Sequence, residues 1–105
     1  MAVVNERDLD WTETDEGDAR FRRKRLGREA GGEELGCSLY ELPAGEKSWP
    51  YHYHTGNEEA LYVLAGKGVL LCDGGDRALE PGDYAALPAG ERGGHRVVND
   101  TDSPL

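Results

Sequence analysis

The amino-acid sequence predicts an all-β protein, a small antiparallel β-barrel formed by one domain, and three observations carry that expectation. Its 105 residues suffice for one hydrophobic core but not for two. From about residue 19 onward, short runs rich in Val, Leu, Tyr and Trp alternate with breaks of Gly, Pro, Asn and Asp, the pattern of a compact sheet protein. Apolar residues nowhere hold a helical spacing for more than a turn or two, so no substantial helix is expected.

Residues 1–18 are acidic, with Leu9 and Trp11 as their prominent apolar side chains, and read as a mobile or loosely docked arm ahead of a barrel domain over 19–105. Strands are expected over 19–25, 36–42, 48–54, 59–65, 68–73, 76–79, 83–87 and 94–99, enough to close a small barrel. The first of these opens Arg20-Phe21-Arg22-Arg23-Lys24-Arg25-Leu26-Gly27-Arg28, which holds half of the 12 basic residues and reads as an edge strand kept from aggregating by its charges. Leu42-Pro43-Ala44-Gly45 ends the second run, and Ala65-Gly66-Lys67-Gly68 links the fourth to the fifth. Cys72-Asp73-Gly74-Gly75-Asp76 has the Asp-Gly chemistry of a tight hairpin. In Glu80-Pro81-Gly82-Asp83, Pro fixes one φ and Gly supplies a positive one.

Composition narrows the function. With 21 acidic against 12 basic residues and a formal charge of −9, the surface opposes the phosphate contacts of a general nucleic-acid binder. No segment has the plan of a helix-turn-helix. No run approaches the ~20 apolar residues of a membrane-spanning helix, and Met1-Ala2-Val3-Val4-Asn5-Glu6 lacks the basic-then-apolar order of a secretion signal. A cytoplasmic protein without nucleic-acid or membrane partners is expected. Cys37 and Cys72 each sit in an apolar run and are expected to be small buried side chains in a reducing compartment, not a disulfide or a metal pair.

The chemistry concentrates at the 3 histidines. In Trp49-Pro50-Tyr51-His52-Tyr53-His54 the two imidazoles are two residues apart, so on a strand both point to one face. Thr55-Gly56-Asn57 then turns the chain, and Glu58-Glu59 opens the next strand, so one of the two carboxylates can return to the same point. His95 would join from a distant strand.

Gly45, His52, His54, Glu59 and Gly66, followed by Gly82, Pro88-Ala89-Gly90, His95 and Asn99, fill two motifs in order, and over about residues 36–99 the chain resembles the cupin superfamily. The likeness is greatest to short single-domain cupins. It implies a jelly-roll or double-stranded β-helix barrel in which His52, His54, Glu59 and His95 bind one divalent metal. Glu59 matches the motif's spacing to Gly66, and it shares a strand face with Leu61 and Val63, which leaves Glu58 facing solvent. Two spacings depart from the family's pattern. Six residues instead of about five separate Gly45 from His52, and four instead of about two, Glu91-Arg92-Gly93-Gly94, separate Gly90 from His95. The paired glycines must accommodate that longer approach.

Three imidazoles and a carboxylate suit Mn, Fe, Ni, Co or Zn as the divalent ion. Trp49, Tyr51, Tyr53 and Tyr84 are candidates to line the barrel mouth beside it, or to pack in the core. The expected function is action on a small oxygenated molecule, with dioxygenase-, decarboxylase- or isomerase-like chemistry, or else non-catalytic binding of a sugar- or carboxylate-like ligand; no catalytic residue is assigned. After Asn99 the chain ends in a polar turn where relatives continue with a strand. The open edge is expected to be covered by the N-terminal segment or by a second copy, and a homodimer is expected.

Overall fold

The computed structural model describes residues 2–105. Eight strands, one turn of α-helix and two short 3-10 turns make up its regular structure. The strands are β1 (Thr12–Glu16), β2 (Ala19–Lys24), β3 (Leu39–Glu41), β4 (Glu59–Tyr62), β5 (Gly68–Cys72), β6 (Arg77–Leu79), β7 (Tyr84–Leu87) and β8 (His95–Val98). They pair antiparallel in three sheets, β1-β2-β3, β4-β7 and β6-β5-β8, and the whole is a jelly-roll barrel. Isolated bridges Lys47↔Val98 and His52↔His95 tie the loop between β3 and β4 to β8.

Alternation along each strand sorts the side chains. Along β4 and the two residues that follow it, Glu59, Leu61 and Val63 turn inward while Ala60, Tyr62 and Leu64 are exposed. Val63, Leu70, Leu79 and Leu87 form one buried cluster and Ala19, Phe21 and Leu42 another; Val97 and Leu105 touch both and join them into one core. Pro81 and Gly82 turn the chain from β6 into β7. Gly82 takes φ 94°, and the Asp83 N–H donates to the Glu80 carbonyl at 3.1 Å, the geometry of a turn that needs glycine at its third position.

Asn99 is fully buried and acts as a polar hub. Its Nδ2 donates to the carbonyls of Leu42, Pro43 and Ser103, and its Oδ1 accepts from the Thr101 N–H and hydroxyl. The last residue, Leu105, exchanges backbone hydrogen bonds with Leu42 at 2.8 and 2.9 Å. The edge expected to be open beyond Asn99 is thus paired, at Leu42, by the chain's own final residue.

Several expectations need correction. The segment 48–54 is not a regular strand: Pro50 has no N–H to give a ladder, and the segment is pinned only at separate points. β2 is the central strand of its sheet and not an edge, because the acidic β1, within the segment expected as an arm, pairs along its whole length. Its outward charges are neutralised by neighbours: Arg20 faces Glu46, Arg22 pairs with Glu41 at 2.7 Å, and the buried Lys24 reaches Glu6 at 2.8 Å. Trp11 lies beneath both Arg22 and Lys24, 4.3 and 4.6 Å from its ring centre, and so docks the N-terminal segment. Cys37 is exposed in the loop ahead of β3 and Cys72 only partly buried, since β3 begins at Leu39 and leaves Cys37 outside the sheet. Among the described residues, no helix is long and apolar enough to cross a membrane.

Candidate metal centre

The site lies at one end of the barrel, where the β3–β4 loop crosses the start of β8. His52 and His95 form a closely spaced antiparallel pair, with N···O distances of 3.2 and 2.9 Å, and their rings lie 4.6 Å apart. His54 is held by its carbonyl, which accepts from the Gly90 N–H at 2.6 Å. The loop therefore presents His52 and His54 without belonging to a continuous strand. Glu59 enters from the first position of β4, opposite Leu87.

Ligand atoms of His52, His54 and Glu59 all lie within 4.8 Å of one another. His95 stands next to this trio: its Nε2 is 4.0 Å from Glu59 Oε2, and it is the most buried of the three imidazoles. The Nδ1 atoms of His52 and His95 each lie 2.8 Å from a backbone carbonyl, of Pro50 and Gly93 respectively. A carbonyl can only accept, so Nδ1 is the donor in both rings, and in the neutral ring this leaves the Nε2 lone pair free. That is the tautomer a metal ligand needs, oriented by the backbone as outer partners commonly do. Glu59 Oε1 is buried and lacks a hydrogen-bond partner, although it touches His54 Nε2. If that Nε2 carries no proton, two acceptors oppose each other at a buried point, a costly contact, and a cation at the convergence of these atoms would satisfy both. The donor set fits a borderline divalent metal. Glu58 is exposed and lies outside the cluster.

The longer approach to His95 is built as a 3-10 turn over Glu91–Gly93. A Cβ on Gly93 would run into the Pro88 carbonyl, and one on Gly94 would meet the Tyr51 ring at 2.6–2.8 Å, so both glycines are required for close packing. Beside the cluster opens a cavity of ≈ 430 Å³, lined by Arg23, Tyr40, Trp49, Pro50 and Tyr51 together with His52, His54 and Glu59. Trp49 and Tyr51 are where the sequence suggested. Tyr53 is exposed and outside the lining, and Tyr84 lies on the outer face of β7, paired with Tyr62, because Ala85 and Leu87 take the inward positions. Arg23 and Tyr40 were not anticipated. The signal was present in the alternation Ala19, Phe21, Arg23, hidden inside a run of charges.

Comparison with known proteins adds to this geometry. Residues 38–105 match the family described as a cupin domain. No curated protein matches the chain. Among similar solved structures is a sugar phosphate isomerase from a cupin superfamily, from Silicibacter pomeroyi, at 42% identity and a TM-score of 0.76, covering 80% of this chain and 54% of that one. This chain thus spans about half the length of that protein. A predicted oxalate decarboxylase from Thermotoga maritima shares 22% identity at a TM-score of 0.84, over 98% of this chain and 91% of that one. The polyketide cyclase RemF from Streptomyces resistomycificus shares 23% at 0.83, over 99% and 73% respectively. At those identities the last two show the fold.

Proposed function

This chain belongs to the cupin family, and on that premise we propose that it holds one divalent transition metal through His52, His54, Glu59 and His95 and acts on a small oxygenated molecule in the adjoining cavity. The observation that carries the reading is the convergence of His52, His54 and Glu59 within 4.8 Å on the wall of a cavity large enough for such a molecule. A bound ion would supply Lewis-acid polarisation of a ligand oxygen. The chain's own residues do the rest: the Pro50 and Gly93 carbonyls set the His52 and His95 tautomers, and Trp49, Tyr40 and Tyr51 wall the ligand with aromatic surface.

Of the reactions open to such a centre, isomerisation of a sugar-like substrate is favoured by the likeness to the Silicibacter pomeroyi isomerase. One observation favours non-catalytic binding instead: among the described residues lining the cavity, Glu59 is the only carboxylate, and the metal reading occupies it. Nuclear magnetic resonance of metal-loaded protein with aldoses, ketoses and their phosphates in heavy water separates the two readings. Aldose–ketose conversion supports the isomerase, and binding without conversion supports the binding module. The proposal includes a cytoplasmic homodimer. Tyr62, Leu64 and Tyr84, 59%, 68% and 68% exposed on the outer face around β4 and β7, support the dimer, which sedimentation at micromolar concentration tests.

A further inference from the structure

We infer that Arg23 is the recognition residue of the cavity, and that its guanidinium receives an anionic oxygen group, carboxylate or phosphate, of the molecule bound beside the His52–His54–Glu59 cluster. The inference deepens the proposed function and rests on that reading of the cluster.

Position comes first. Inward residues of β2 run Ala19, Phe21, Arg23, the first two being 0% and 1% exposed. Arg23 is thus the third inward side chain, at the point where the core gives way to the cavity. Its cross-strand partner is Tyr40, which lines the same cavity. An apolar residue would continue the core pattern here, and the chain places a cation instead.

Partners come second. The other cations of β2 each face a carboxylate: Arg20 faces Glu46, Arg22 faces Glu41 and Lys24 faces Glu6. Among the described residues Arg23 has no carboxylate within ion-pair distance, in a protein with 21 acidic side chains. Its one side-chain hydrogen bond runs from Nη1 to the Tyr40 hydroxyl at 3.5 Å, at the outer limit of such a bond. Its Nε is buried with no acceptor. Only two described side-chain atoms are in that condition, Arg23 Nε and Glu59 Oε1, and both residues line this cavity. A donor of a charged group left unpaired in this way is costly. The metal reading answers the orphaned carboxylate oxygen, and an anionic ligand would give the guanidinium, otherwise held through Nη1 by the long bond to Tyr40, the ion pair it lacks.

Charge comes third. A dication, the Glu59 carboxylate and the Arg23 guanidinium leave the cavity net positive, although the whole chain carries −9. A neutral molecule would meet that field without compensating it. A guanidinium offers a planar fork of donors that matches carboxylate and phosphate oxygens, which a lysine cannot reproduce.

The test titrates inorganic phosphate and, separately, acetate into the protein at fixed ionic strength, before and after loading with Mn²⁺, following the tryptophan fluorescence, to which Trp49 in the cavity wall contributes. Saturable binding of at least one anion is expected, weakened by about tenfold or more in Arg23→Gln while circular dichroism and metal uptake stay unchanged. The phosphate and acetate arms tell which anionic group the site prefers. Arg23→Lys, which keeps the charge but not the fork, is expected to fall between and serves as the readout if Arg23→Gln does not fold. No saturable binding of either anion to the wild type, or equal binding to the wild type and a folded Arg23 variant, overturns the inference. Failure of the wild type to take up metal overturns the reading of the cluster instead, and the metal-free titration then still decides the role of Arg23.

Discussion

Replacing Asn99 by Ala is expected to destabilise the fold by roughly 3–4 kcal/mol, as much as truncating a buried apolar side chain of its size. Its amide gives Nδ2 to the Leu42, Pro43 and Ser103 carbonyls at 3.0, 3.1 and 2.7 Å and takes the Thr101 N–H and hydroxyl on Oδ1 at 3.0 and 2.7 Å. Nδ2 has only two hydrogens for its three acceptors, so at a net ~1 kcal/mol per bond the hub amounts to roughly 4. Thr101 and Ser103 lie near the surface and recover part of that from water, whereas Leu42 is buried and its carbonyl does not. A domain of this size is stable by ~5–15 kcal/mol, so the loss is a large share of the total. With a urea slope of ~1–3 kcal/mol per molar, the midpoint should fall by about 1–4 M at unchanged slope. Thr101→Ala, which removes only the acceptor side of the hub through its hydroxyl, should cost about 1 kcal/mol. A loss below about 1 kcal/mol for Asn99→Ala would refute the claim that this amide pins the β3 end to the chain's last residues.

Two further outcomes are expected. Gly93→Ala should destabilise by about 1–3 kcal/mol or more, because the new methyl meets the backbone carbonyl of Pro88, while Gly94→Ala should cost less because it meets only the movable Tyr51 ring; denaturation midpoints of the two variants check the order. Asp18 is hydrogen-bonded by Arg96 at 2.7 and 3.0 Å, which holds its carboxyl below the ordinary value, with Lys47 acting in the same direction. A lowered folded-state value stabilises above the unfolded carboxyl range near ~3.9 and is lost as pH falls through the folded value. Asp18→Asn should therefore flatten the acid limb of a stability-versus-pH curve, and an unchanged limb would contradict the pairing.

The sequence disclosed most of the barrel because β4, β5 and β7 each turn one face inward, and burial writes alternation into their residues. Glu59, Leu61 and Val63 were readable as an inward set for that reason. β1 was not readable: Thr12-Glu13-Thr14-Asp15-Glu16 has no apolar face, since it is an outer strand paired only with β2. The segment 48–54 misled in the opposite way, its alternating aromatic residues suggesting a ladder that Pro50 helps to prevent. At the site, His52 and His54 were legible from their spacing and Glu59 from the motif resemblance and the alternation of its strand, and the structure brings them together with His95 alongside. Asn99 and Gly66 were motif positions without a reason. Asn99 proves to be a buried amide hub, and Gly66 lies flush against the backbone of Pro104 and Leu105, where a side chain has no room. Arg23 was lost in a charge run, because only the register of β2 separates its inward cation from the outward ones.

The central claim is that these side chains form a metal centre, and metal content tests it most directly. Protein purified without added metal, then dialysed against Mn²⁺ or Zn²⁺ and analysed by elemental mass spectrometry, should carry one equivalent per chain in the wild type and almost none in a His52→Ala/His54→Ala double variant that keeps its circular dichroism spectrum. Because imidazole ligands must be unprotonated, the wild-type equivalent should also fall away as the medium is acidified from neutral. Full retention of the metal by the folded double variant would contradict the account.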